Sequence, residues 1–225
     1  MIMDGNGRWA RERGKERVYG HFEGVESVRA CTETAVEAGV EYLSLFAFSE
    51  ENWGRPEAEV TTLMELMASS MINERDTFMA NGIRFRVLGN LSRLSEKLRA
   101  AIDEMEKATS GNTRLTLIIF LSYSGKWDIM QAAKRLAADY AGREDEMAGL
   151  DISAFDKYLV TAGVPDPDLI VRTSGEQRIS NYLLWQSAYS EFYFTDILWP
   201  DFRRDQFLAA IEAYAGRDRR YGKVK

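Results

Sequence analysis

A chain of 225 residues can bury one sizeable α/β core, and 45% hydrophobic with 28% charged residues reads as globular rather than disordered. The net charge of −6 argues against general nucleic-acid binding. A single cysteine, Cys31, excludes an intrachain disulfide and suits a reducing cytoplasm, and a single histidine, His21, excludes a histidine-based zinc cluster.

The chain opens on the apolar stub Met1-Ile2-Met3, a strand candidate, and continues as Asp4-Gly5-Asn6-Gly7-Arg8-Trp9. Two glycines let the backbone turn sharply and approach a ligand closely. Exposed N–H groups before a helix form an anion cradle, Arg8 adds a donor fork suited to phosphate, and Asp4 stands where a metal-binding carboxylate could sit. The run suggests magnesium-assisted handling of a diphosphate, although Gly-Asn-Gly is also an ordinary turn. Arg11, Arg13, Lys15 and Arg17 follow, the first three reading as a solvated helix face. His21 precedes a helix, where phosphate contact and capping both fit. Cys31 reads as a small core residue.

Further strands are expected at 42–48, 83–88, 115–121, 169–171 and 191–195, and helices at 21–38, 57–81, 91–108, 125–140, 152–159, 181–187 and 204–215. Gly39, Gly82 and Gly111 stand where helix stops belong. This alternation predicts an α/β fold in a single domain, 1–225: a mainly parallel central sheet flanked by helices. Ligands of such folds sit at the carboxyl ends of strands, which puts Asp4, Ser49, Asn52 and Arg172 on one rim. Helix 57–81 carries Val60, Leu63, Met64, Met67 and Met71 at helical spacing. A core-facing stripe and the wall of an apolar tunnel between sheet and helices look alike here, and methionines suit a wall that fits a flexible chain. Leu115, at the far end of its strand from Tyr123, is the expected tunnel floor. Arg172 and Arg178 with Ser180 read either as a second diphosphate site or as a polar loop. Asn52 does not titrate, but it can orient a diphosphate or relay a proton. The aromatic run from Tyr189 to Phe194 suggests an interface and so a homodimer. No apolar run reaches about 18 residues and no signal peptide is seen, so a lipid substrate would be met peripherally, from the cytoplasm.

Three segments carry a resemblance across nearly the whole chain: 3–10, Ser49-Glu50-Glu51-Asn52-Trp53-Gly54-Arg55-Pro56, and Pro165 through Arg172-Thr173-Ser174-Gly175-Glu176 and Arg178-Ile179-Ser180-Asn181 to Trp199-Pro200-Asp201-Phe202. The chain resembles the cis-prenyltransferases, the undecaprenyl diphosphate synthase family. The resemblance implies sequential Z-condensation of isopentenyl diphosphate onto an allylic diphosphate such as farnesyl diphosphate, with Mg²⁺ as cofactor. It implies catalytic roles for Asp4 and Asn52. It places the allylic diphosphate on Gly5, Asn6, Gly7, Arg8 and Trp9 with Arg17 and His21, and gives functional roles to Ser49, Glu50, Glu51, Trp53 and Arg55. Isopentenyl diphosphate falls to Arg172, Arg178, Ile179 and Ser180. Asp4 and Glu191 would hold the metal, Glu191 reaching a neighbouring subunit's site, and the tail 217–222 resembles a motif near the partner's site.

Departures from the family pattern are Ser122 and Lys126, where asparagine and arginine are common, and Gln177, which leaves a metal role there in doubt. The family usually has more strand residues before Met3, so the first strand looks clipped. No Asp-Asp-x-x-Asp run exists, unlike in trans-prenyltransferases. The compact chain suggests undecaprenyl diphosphate as product. The rivals are an enzyme of another product length, short-chain or dolichol-type, a non-catalytic accessory subunit, and an unrelated phosphate-binding hydrolase.

Overall fold

The computed structural model describes residues 1–219. Its elements are helices α1 (Asn6–Glu12) and α2 (Arg17–Glu37), strand β1 (Tyr42–Ser49), helix α3 (Glu57–Ala80), strand β2 (Ile83–Leu88) and helix α4 (Glu96–Thr109). Strand β3 (Leu115–Tyr123) and helices α5 (Gly125–Asp139), α6 (Glu144–Ala148) and α7 (Ile152–Asp156) follow, then strands β4 (Leu169–Arg172) and β5 (Glu191–Phe194) and helix α8 (Arg204–Ala215). Short 3-10 turns span Glu50–Gly54, Leu91–Arg93 and Trp199–Asp201.

β3 pairs in parallel with both β1 and β2, and β4 pairs in parallel with β5. Ile2 joins the two groups, bridging to Phe46 on one side and Arg172 on the other. The Ile2 N–H donates to Val171 O at 2.8 Å, and the Phe46 N–H donates to Met1 O at 2.9 Å. The row is therefore β2-β3-β1-Ile2-β4-β5, so the N-terminal stub is a single-residue seam in the sheet, not the expected strand at 1–3. Apolar clusters cover both faces. One gathers residues of α2, α3, α4 and α8 around Leu45, Phe85 and Leu117. The other gathers Phe120, Tyr123, Tyr182 and Ile170.

Helix boundaries follow local chemistry. Ser95 caps α4 by accepting from the Leu98 N–H at 3.2 Å, and Ser124 caps α5 by accepting from Trp127 N–H at 3.2 Å. The expected helix at 91–108 therefore starts only at Glu96, behind a 3-10 turn. Helix α2 begins four residues ahead of the expected 21, and α7 stops at Asp156. No helix forms at 181–187. Ser180, Asn181 and Leu183 have φ of 48°, 62° and 47°, the left-handed region that a helix cannot use. Polar contacts hold them there: the Asn181 side chain accepts from Lys126 N–H at 3.0 Å and donates to Ser124 Oγ at 2.8 Å.

α1 lies against α2 with Gly20 at the contact, where an added Cβ would stand 1.9 Å from Asn6 O. Only glycine permits that approach, which sets the position of the Asp4–Arg8 segment. Gly20→Ala should therefore overpack the contact, at a cost of roughly 1–3 kcal/mol. A thermal melt should show a lower Tm by about 2–4 °C per kcal/mol. An unchanged melt would show that this contact does not fix α1.

Candidate active site

A cavity of about 730 Å³ opens at the carboxyl ends of β1 and β4 and runs between α2, α3 and the sheet. Asp4, Gly5, Asn6, Gly7, Arg8, Arg17, His21, Ser49, Asn52, Arg55, Arg172 and Ser180 line its mouth. Inward, its walls are Val25 and Val28 of α2, Leu63, Met67 and Met71 of α3, and Phe46 and Ile119 of the sheet. Ile83, Phe85, Leu117 and Arg114 close the deep end. Leu115, the expected floor, is 1% exposed and packs in the core, but Leu117 two residues on reaches the wall instead.

Gly5, at φ 103°, turns the chain into α1, and a side chain there would collide with Leu198 and Ser174. The N–H groups of Asn6, Gly7 and Arg8 belong to the first turn of α1, where no intrahelical acceptor exists. Asp4 anchors this turn. Its Oδ1 accepts from the Gly5 N–H at 2.7 Å and its Oδ2 from Arg172 Nη2 at 2.8 Å. Burial alone would raise the pKa of Asp4, but the Arg172 guanidinium and the Gly5 N–H together hold it below the ordinary carboxylate value. Arg172 also donates to Ser180 Oγ and to the carbonyl of Arg178. Arg8 donates to Ser174 O at 2.9 Å. Behind the mouth, Glu59 takes Arg17 at 3.1 Å and Arg55 at 3.2 Å. Sequence reasoning missed Glu59, although its four-residue spacing from Arg55 on a helix start was a usable signal.

Among the residues lining the mouth, Arg8, Arg17, Arg55 and Arg172 outnumber Asp4, even with Glu59 and Glu176 pairing three of them from beside the lining, which suits a multiply charged anion. Buried side-chain atoms without a partner, among the described residues, include Asn6 Oδ1, His21 Nε2 and Arg172 Nε. All three residues line the cavity, so the mouth holds polar groups that a ligand would satisfy. Burial, reinforced by the Arg55 charge, pushes His21 down to about 4, so it is neutral near pH 7.

Other predicted residues stand elsewhere. Trp9 is buried and donates from Nε1 to Asp201 at 2.7 Å. Glu50, Glu51 and Trp53 do not line the cavity; Glu51 accepts from Asn181 Nδ2 at 2.7 Å. The Arg178 side chain is 63% exposed and pairs with Glu176, and Ile179 packs on the second apolar cluster. Glu191 lies at the start of β5 opposite Leu169, while Arg172 lies opposite Phe194. Glu191 therefore sits at the other end of the strand from Asp4, bound to Arg217 at 2.6 Å. Within one chain these two carboxylates do not meet. Of the tail motif at 217–222, residues 220–222 fall outside the described residues.

The family model described as "Putative undecaprenyl diphosphate synthase" matches residues 2–222. An isoprenyl transferase of Porphyromonas gingivalis is 48% identical over 224 residues, covering 100% of this chain and 88% of that protein. A ditrans,polycis-undecaprenyl-diphosphate synthase, (2E,6E)-farnesyl-diphosphate specific, of Pseudomonas aeruginosa is 50% identical over 226 residues, covering 100% and 89%. Among solved structures, lavandulyl diphosphate synthase from Lavandula x intermedia, in complex with dimethylallyl diphosphate, superposes with a TM-score of 0.94 at 34% identity, covering 99% of this chain and 96% of that one. A probable undecaprenyl diphosphate synthase from Campylobacter jejuni superposes with a TM-score of 0.79 at 33% identity, covering 89% and 92%.

The His21 environment generates a pH prediction. An unfolded histidine protonates near 6.5, whereas the folded one stays neutral down to about 4. Between those values the unfolded state binds the extra proton, so His21 makes stability fall as pH drops from 6.5 to 4. Urea midpoints measured across that window should fall less steeply for His21→Gln than for the parent chain. Identical slopes would contradict a half-buried, neutral His21.

Proposed function

The chain belongs to the undecaprenyl diphosphate synthase family, and from that membership we propose that it condenses isopentenyl diphosphate repeatedly onto an allylic diphosphate, giving a long Z-polyprenyl diphosphate. The observation that carries this reading is the single cavity joining a cationic mouth to an apolar cleft. A diphosphate head and a hydrocarbon tail need those two environments in continuity. The relatives' names favour farnesyl diphosphate as primer and undecaprenyl diphosphate as product.

In this reading the first turn of α1, with Arg8, Arg17 and His21, holds the allylic diphosphate. Neutral His21 donates or accepts one hydrogen bond there without adding charge. Arg172 and Ser180 hold isopentenyl diphosphate. Arg178, turned outward on Glu176, joins them only on reorienting. The allylic C1–O bond breaks as C1 bonds to the terminal alkene carbon of isopentenyl diphosphate, and the proton then lost from C2 fixes the new double bond. Asn52 lines the mouth and accepts the Ser49 N–H at 3.1 Å through Oδ1. That bond turns its amide NH₂ into the group available to orient a diphosphate oxygen. The tail advances between Val28, Met67, Met71 and Phe46.

The residues present fit Mg²⁺. This ion keeps several waters and commonly binds through one or two carboxylates plus substrate phosphates. Asp4, ionised and 36% exposed in its side chain, is such a ligand beside the cradle, and bound there the ion would neutralise charge on the departing diphosphate. Glu191 would join only from a second copy. A homodimer through the β5 edge is consistent with the exposure of Tyr189 (73%) and Ile197 (37%) nearby. We further propose a cytoplasmic protein that meets membranes peripherally; among the described residues no helix is long and apolar enough to cross a membrane.

The direct test is incubation with farnesyl diphosphate, labelled isopentenyl diphosphate and Mg²⁺, followed by product sizing; a failure to incorporate label would overturn the reading. Asp4→Ala should lower turnover per folded molecule by about 10²–10³ and, because it strands the buried Arg172 charge, should also lower the melting temperature. Near-normal turnover at saturating Mg²⁺ would remove Asp4 from the chemistry. Met67→Trp should fill the cleft and shorten the products on chromatography, and an unaltered length distribution would show that the tail runs elsewhere.

A further inference from the structure

The 3-10 turn Glu50–Gly54 presents two faces. Asn52 lines the cavity and Trp53 does not. The Trp53 indole N–H donates to Ser122 Oγ at 2.8 Å, and the Ser122 hydroxyl donates to Glu50 Oε1 at 2.7 Å. The other Glu50 oxygen accepts from Arg93 Nη1 at 2.9 Å, and the Arg93 guanidinium lies over the Trp53 ring at 4.4 Å. Trp53, Ser122, Glu50 and Arg93 therefore close a ring of contacts on the outer side of the turn.

Ser122 is the wholly buried member, at 0% exposure. Its φ is 52°, a conformation that a non-glycine residue keeps only when its surroundings impose it. That geometry aims one hydroxyl at two residues of the same turn, where it accepts from one and donates to the other. The turn has no fully buried residue of its own, and only Trp53 ties it to the core by apolar packing. Its apolar anchor is the edge contact of Trp53 on Phe48, with ring centroids 5.2 Å apart.

We propose that Ser122 is a positioning residue for the condensation: it clasps the turn through Trp53 and Glu50 and so holds Asn52 at the diphosphate mouth. This rests on the proposed function. Glu50 and Trp53 then act on the outer side of the turn, holding Asn52 in place. Removing the hydroxyl strands the Trp53 N–H and frees Glu50 to follow Arg93 outward, and Asn52 moves with the turn. A displacement of about 1 Å of a substrate-orienting group is enough to cost 10²-fold in rate. Asparagine tolerates left-handed backbone and offers both a donor and an acceptor, so it can replace serine in the clasp.

The test measures kcat per folded molecule and KM for isopentenyl diphosphate in the parent chain, Ser122→Ala, Ser122→Asn, Asn52→Ala and the Ser122→Ala/Asn52→Ala double variant. Trp53→Phe serves as a second probe that leaves the buried site untouched. Ser122→Ala and Trp53→Phe should each lower kcat roughly tenfold or more, and Ser122→Asn should restore most of it. Once Asn52 is gone, Ser122→Ala should cost no further rate, the non-additivity expected when one residue acts through another. Losses that multiply in the double variant, or a Ser122→Ala protein that melts lower but turns over normally, would overturn the proposal. A parent chain that does not incorporate isopentenyl diphosphate would overturn the functional reading instead.

Discussion

The contact between Asp4 and Arg172 is the constraint on which the rest of the structure depends. It joins positions 168 residues apart, at 2.8 Å, beside the Ile2 seam that makes one row of two groups of strands. Arg172 is 4% exposed, so its charge would be costly without a partner, and removing Asp4 would leave it so. A buried ion pair is weak evidence for net stability. Its value here is positional. Thr173 reinforces it, accepting the Asp4 N–H at 2.9 Å and donating to Asp4 O at 2.7 Å. The Trp199 N–H donates to the same carbonyl at 3.0 Å. The first and third signature segments, distant in sequence, are held as one wall.

The runs at 42–48 and 115–121 announced their strands because they are nearly continuous in apolar residues, as central parallel strands require, while 83–88 announced itself by alternation, Ile83, Phe85 and Val87 buried and Arg84 and Arg86 between them, as an edge strand allows. Asp4, Ser49, Asn52 and Arg172 converge as their positions after strands predicted. The 181–187 segment misled because Tyr182-Leu183-Leu184-Trp185 is a short continuous apolar run, which periodicity cannot assign. The polar contacts of Asn181 decide that backbone, and they are invisible until β3 and α5 are in place. Likewise, Leu117 rather than Leu115 meets the cleft because side-chain parity fixes only the face, not the depth. That Glu50, Glu51 and Trp53 face away from the cavity was not legible, since a segment matched as a block says nothing about which face each residue presents.

Fold alone leaves the chemistry open. A lavandulyl diphosphate synthase bound to dimethylallyl diphosphate superposes on this chain more closely than a probable undecaprenyl diphosphate synthase does. In this chain a cationic mouth would serve a diphosphate whatever its tail, because the head group supplies the charge-assisted contacts. What distinguishes products must then lie deeper, in the cleft walls. There Val28, Met67, Met71, Phe85 and Leu117 supply the apolar wall, with Thr32, Ser70 and Thr77 among the polar residues that share the lining.

An apolar cleft of this size inside a folded chain has its own cost, because its lining atoms lack partners on one side. Apolar packing would tend to draw α2 and α3 together over it. The two helices instead meet through ion pairs at two levels: Arg17 with Glu59 at 3.1 Å, and Arg29 with Glu74 at the deeper level. Those levels are separated by roughly 18 Å along α2 and 22 Å along α3. Glu26 holds Arg29 from its own helix at 2.7 Å, so the deeper bridge is fixed on both sides. Long arginine side chains can span a gap that core packing would close, while their charges stay near solvent. The two helices are thus tied near the mouth and again deeper, with the cavity between them. A tail that enters supplies the missing dispersion contacts, so the cleft favours the chain that fills it over the empty state.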